Sequence, residues 1–177
     1  NSQSETYPVT MSEGLMGVPE ISEFETFVAQ SCYTILENQG YNMDDYVVHL
    51  SELWCQEHRK FSGMEQHSHP NGVLLSGFYF LEVPEDSCMI QLHDPRPGKV
   101  QIDLPELNES EATFASKMIN FQPKVGDLFF MPSWLPHSFT RHGSEEILKF
   151  IHINVAVQYM PQNVQPQASC FEQPIIV

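Results

Sequence analysis

From Ile21 onward the apolar residues fall at 21, 24, 28, 32, 35 and 36, the spacing of one helix face, and predict an amphipathic helix over about 23–38. Ser22 and Glu25 stand three apart at its start, as a capping box requires, and Asn38-Gln39-Gly40 supplies a stop. Beyond residue 45 the period changes. Short runs of β-branched and aromatic residues predict strands at 46–50, 53–58, 73–83, 88–93, 100–104, 118–121, 128–132, 138–141 and 147–159. Turn formers separate them, at Ser62-Gly63, Pro84-Glu85-Asp86, Pro95-Arg96-Pro97-Gly98 and Gly126-Asp127. One helix followed by a train of strands does not fit alternating βαβ units. It predicts a mostly β fold, an antiparallel barrel or jelly roll, with the helix packed on a sheet. Residues 1–20 read as a loose leader or an edge strand, 106–115 as an exposed acidic excursion, and 160–177 as a peripheral strap or mobile end. A single domain over 1–177 is expected.

Composition narrows the class. A length of 177 residues suffices for one hydrophobic core. The net charge of -15 disfavours a nucleic acid or an anionic membrane as partner, because eight basic residues cannot replace the counterions of a phosphate backbone. A small-molecule or peptide substrate fits better, and a homodimer is compatible with the pattern. The four cysteines, Cys32, Cys55, Cys88 and Cys170, form no CxxC pair and are expected as reduced thiols in a cytoplasmic protein. No apolar run approaches the roughly 18 to 20 residues that span a bilayer.

The candidate chemistry lies in three histidines. His67 and His69 are two apart, so on an extended segment both imidazoles leave one face, about 6.5 to 7 Å apart at the α-carbons. His137 follows on another strand end, after the rigid sequence Pro132-Ser133-Trp134-Leu135-Pro136. Three imidazoles can form one face of a metal site and leave positions open for substrate or oxygen. The absence of cysteine from the set argues against a structural zinc site. His49, His58, His93, His142 and His152 read as surface or satisfied polar positions. Trp54, Phe78, Phe80, Phe129, Phe130 and Trp134 read as core, although Trp134, beside His137, would wall a pocket.

The ordered blocks Leu53-Trp54, His67-Ser68-His69-Pro70, 76–81 (Ser-Gly-Phe-Tyr-Phe-Leu), Asp94-Pro95-Arg96, 130–138 and Ile153-Asn154-Val155 resemble the bacterial and phage 2-oxoglutarate/Fe(II)-dependent oxygenases related to prolyl hydroxylases. The resemblance covers about 45–158. It implies a double-stranded β-helix (jelly roll, cupin-like), iron(II) between its two sheets, and 2-oxoglutarate and O2 as co-substrates. The implied activity is a dioxygenase that hydroxylates an unactivated C–H bond, with a peptidyl proline as the analogy for substrate. It also implies that His67 and His137 are ligands and that His69 occupies the place of an aspartate, with Asp94 as the reserve carboxylate. Relatives hold the far carboxylate of 2-oxoglutarate with an arginine or lysine, and the matching position here is Leu148. Arg96, Arg141 and Lys149 are the candidates to replace it, and Tyr79 is a candidate hydroxyl donor. Two other classes share such a pattern: a cupin-type three-histidine metalloenzyme that uses no 2-oxoglutarate, and a non-catalytic jelly-roll binding module.

Overall fold

In the computed structural model, which describes residues 8–69 and 72–160, the helical stripe forms α1 (Ser22–Asn38) and buries Val28, Cys32 and Leu36. Its start differs from the expected capping box. Ile21 is the N-cap, without a side-chain cap, because a 3₁₀ turn over Pro19–Ile21 leads directly into the helix. Glu25 reaches back past Ser22, and its Oε1 accepts a hydrogen bond from the Gly17 N–H at 2.9 Å.

Among the described residues there are nine strands: β1 (Val9–Met11), β2 (Tyr46–His58), β3 (Met64–His67), β4 (Leu75–Glu82), β5 (Ile90–His93), β6 (Met118–Phe121), β7 (Leu128–Pro132), β8 (His137–Phe139) and β9 (Leu148–Tyr159). They form a five-stranded sheet, β1-β2-β9-β4-β7, and a four-stranded sheet, β3-β8-β5-β6, and all the pairings are antiparallel. The architecture is the jelly roll with one N-terminal helix. The strands expected at 46–50 and 53–58 are one strand, β2, with a register shift between Leu50 and Glu52. No strand forms at the expected 100–104: residues 100 and 101 lie in a 3₁₀ turn, Lys99–Gln101, and 102–104 carry on from it without pairing in a sheet.

Alternation along the strands makes two cores. Leu53, Leu75, Ile153 and Val155 face α1, joined by Tyr79 and Ile151. The intervening positions Phe78, Phe80, Leu148 and Phe150 face the other sheet, where they meet Ile90 and Phe139. Gly77 permits the close approach of β4 and β7: a Cβ there would lie 2.5 Å from the Phe130 ring and 2.7 Å from the Phe129 carbonyl oxygen. Cys32, Cys55 and Cys88 are free thiols, and burial pushes the first and third up to about 12. Among the described residues no helix is long and apolar enough to cross a membrane. Cys170, the first seven residues of the leader, the Pro70-Asn71 pair and the expected strap after Met160 lie outside the described residues.

Candidate metal centre

The 132–136 turn braces two segments at once. Leu135 N–H closes it on the Pro132 carbonyl at 3.0 Å, and the Ser133 carbonyl accepts the His69 N–H at 2.9 Å. Ser133 also binds back to the 73–74 backbone, through its N–H to Leu74 and its hydroxyl to Val73. His137 leaves this turn as the first residue of β8, opposite His67 at the end of β3. Two prolines, the backbone hydrogen bonds and the Ser133 hydroxyl therefore place His69 and His137.

The three imidazoles converge. Their ligand atoms lie within 4.8 Å of one another, and the His67 and His137 ring centroids are 4.3 Å apart. His67 Nδ1 is 2.8 Å from the Glu65 carbonyl and His137 Nδ1 is 2.9 Å from the Leu135 carbonyl. A carbonyl only accepts, so in the neutral rings each Nδ1 carries the proton and each Nε2 presents a lone pair. The Nε2 atoms of His69 and His137 are buried without a partner. Burial holds the His137 imidazole down to about 4, with its backbone hydrogen bond to Leu135 opposing. His69 is also lowered, by burial and then by His67, against the opposing effect of Asn154 and Glu52. Neutral imidazoles with free lone pairs are the donor set that a divalent metal takes.

A fourth histidine, which the sequence reading set aside, stands behind them. His152 on β9 stacks on His69 at 5.1 Å and on Trp54 at 4.0 Å, giving a column of nearly parallel rings from Trp54 through His152 and His69 to His137. Its Nδ1 is buried and unpartnered, and burial lowers the imidazole well below its ordinary value. The signal was present as alternation: Leu148, Phe150, His152 and Asn154 share the inward face of β9, so a polar pair there had to sit inside the sandwich. Asn154 accepts from the Ser76 hydroxyl at 2.8 Å and donates to Glu52 Oε2 at 2.5 Å. A carboxylate is thereby held close behind His69.

His69 also borders a cavity of about 560 Å³ between the end of α1 and the 132–134 segment. Tyr41, Met43, Tyr46, Leu74 and Trp134 line it, and among the described residues no side chain around it is acidic or a lysine or arginine. It is large enough for a small molecule or one or two residues of a peptide.

The remaining candidates are placed elsewhere. Tyr79 lies on the helix-facing side of β4, its ring 5.3 Å from Phe24, because odd positions there point away from the histidines. Lys149 leaves β9 on the face opposite His152 and pairs with Glu57 and Glu82. Arg141 is exposed. Arg96 makes a two-pronged ion pair with Asp94 and stacks over Phe114. The Arg96 contacts hold the Asp94 carboxyl down to about 2, so this carboxylate is engaged with a guanidinium instead of lying among the histidines. Leu148 is fully buried on the inward face.

Comparison with known proteins agrees with this architecture. Residues 52–148, more than half of the chain, match the family model described as "Putative 2OG-Fe(II) oxygenase". The fold resembles a 2OG-Fe(II) oxygenase family oxidoreductase from Burkholderia pseudomallei, with a TM-score of 0.62 and 8% identity over 88% of this chain and 71% of that one. It also resembles a prolyl-4-hydroxylase from Pseudomonas putida, with a TM-score of 0.56 and 11% identity over 86% and 72%. A viral collagen prolyl hydroxylase from Paramecium bursaria Chlorella virus-1, solved as a 2OG complex, aligns with a TM-score of 0.50 and 9% identity over 84% and 79%. No curated protein matches the chain.

Proposed function

Because the chain belongs to the 2OG-Fe(II) oxygenase family, enzymes that use iron(II) and 2-oxoglutarate, we propose that His67, His69 and His137 hold the iron and that the cavity beside His69 admits the substrate. The observation that carries this reading is the pair of buried, unpartnered Nε2 atoms, of His69 and His137, in a cluster where the Nδ1 atoms of His67 and His137 are committed to carbonyls. A buried polar atom without a partner is costly, and a metal ion is the partner that three converging lone pairs fit. When bound, iron(II) with a 2-oxo acid and O2 supplies hydroxylation of a C–H bond, coupled to oxidative decarboxylation of the 2-oxo acid.

The chain's own residues orient and exclude. The 132–136 turn fixes His69 and His137, the Glu65 and Leu135 carbonyls fix two tautomers, and Phe78 packs against His137 and His152 to keep water from that side. Asn154 keeps Glu52 close to His69, so the carboxylate offsets part of the charge that an aspartate ligand would have supplied. The uncharged, aromatic cavity suits a neutral substrate segment, and a peptidyl proline or a similar small or peptide substrate is the class we assign. A nucleic acid does not suit a chain of net charge -15. Unpaired thiols are in keeping with a cytoplasmic setting in a single domain.

The test is anaerobic reconstitution with iron(II), followed by metal analysis and by measurement of succinate release from 2-oxoglutarate with proline-containing peptides. One iron per chain is expected, lost in His67→Ala and His137→Ala. Full retention of iron in both variants would remove the histidines from the metal site. Stoichiometric iron without any 2-oxoglutarate turnover would instead point to a chemistry other than the one proposed.

A further inference from the structure

The chain has eight lysines and arginines, all of them among the described residues, and none serves the interior of the sandwich. Arg59 pairs with Glu57, Lys60 with Glu145, Arg96 with Asp94, and Lys149 with Glu57 and Glu82. Lys99 binds the Phe114 carbonyl, and Lys117, Lys124 and Arg141 are exposed. The inward face of β9 instead runs Leu148, Phe150, His152, Asn154; Phe78 and Phe80 of β4 lie beside it, Phe139 faces it from the other sheet, and the buried polar neighbours there, Gln56 and His58 of β2, are uncharged, with burial lowering the His58 imidazole to about 4. Iron fits this site, whereas the second carboxylate of 2-oxoglutarate has no counter-charge in it.

A 2-oxo acid offers two parts to such a site. Its 2-oxo carboxylate head can chelate a metal, and its tail must go somewhere. A tail carboxylate turned inward would lose its water against phenyl rings with no ion pair in return, which is strongly unfavourable. Turned toward the open cavity, it would stay hydrated and gain little. In neither position does the tail charge strengthen binding.

We propose that this chain recognises its 2-oxo acid by the metal-chelating head alone, so that 2-oxo acids with short neutral tails bind at least as well as 2-oxoglutarate. The inference rests on the reading that the three histidines hold iron(II). It deepens that reading by opening the co-substrate class beyond 2-oxoglutarate.

The experiment is calorimetric titration of the iron(II)-loaded full chain under anaerobic conditions with 2-oxoglutarate, 2-oxobutanoate and 4-methyl-2-oxopentanoate. The expected result is a Kd for at least one neutral-tailed acid that is below, or within about threefold of, that for 2-oxoglutarate. A 2-oxoglutarate Kd more than about threefold below both would overturn the inference while leaving the proposed function standing. Failure of all three acids to bind to protein that retains its iron would overturn both, and the retained metal tells that outcome from the first.

Discussion

His69 and Leu148 each stand where the resemblance expects a charged residue, and their consequences differ. The imidazole at 69 would leave the proposed metal site one charge more positive than a carboxylate would, and Glu52 would offset this only indirectly, through Asn154. Replacing Asn154 with alanine removes that connection and the partner of Ser76. We expect iron(II) affinity to fall by about tenfold, read by competition with a chelator, because residues that orient a ligand commonly act on that scale. His58 shows a different use of a buried imidazole. It is fully buried, 2.8 Å from Gln56 and 3.1 Å from Ser62, and burial, with His142 second, lowers it to about 4. A depressed histidine contributes stability that is complete above its unfolded value, about 6.5, and is lost as pH falls through the folded value. The apo protein should therefore lose on the order of 3 kcal/mol from this group between pH 7 and 4. Urea denaturation across that range should show a smaller loss in His58→Gln. An equal loss in the variant would assign the effect to other groups.

Elements with strong periodicity were legible in the sequence, and those made by pairing were not. The stripe of α1 and the runs at β4, β7 and β9 could be read directly because burial on one or both faces imposes a repeat. Met64-Glu65-Gln66-His67 has no such repeat, and it becomes β3 only because β8 lies beside it. The HxH spacing and the proline-flanked His137 made three of the site's histidines readable. His152 was missed because its identity as an inner residue depends on the register of β9 against β4, where it faces Phe78. Tyr79 is the converse case, a polar-capable residue near the motif whose odd position turns it toward Phe24. Gly77 tests the register itself. Gly77→Ala should cost at least about 1 to 3 kcal/mol, seen as a lower denaturation midpoint, since the new methyl meets the backbone of β7 as well as the Phe130 ring. An unchanged midpoint would mean that β4 and β7 are spaced more widely than described.

At the scale of the whole molecule, the ring column joins the two sheets. Trp54 and His152 belong to the five-stranded sheet, and His137 with His67 belongs to the four-stranded sheet. Metal binding should therefore stabilise the fold as well as the site. At a free iron(II) concentration one hundred times its Kd the gain is about 2.7 kcal/mol, and it should vanish with a chelator and rise with metal concentration. Differential scanning calorimetry under anaerobic conditions checks this, and a Tm indifferent to iron would contradict it.

The same column gives the protein an optical reporter of its own. Of its two tryptophans, Trp54 stacks directly behind His152 and Trp134 lines the cavity beside His69. Emission from Trp54 should respond to what happens at the histidines, and emission from Trp134 to what enters the cavity. Each of the single replacements Trp54→Phe and Trp134→Phe would then separate metal loading from substrate entry in one cuvette, without an added dye.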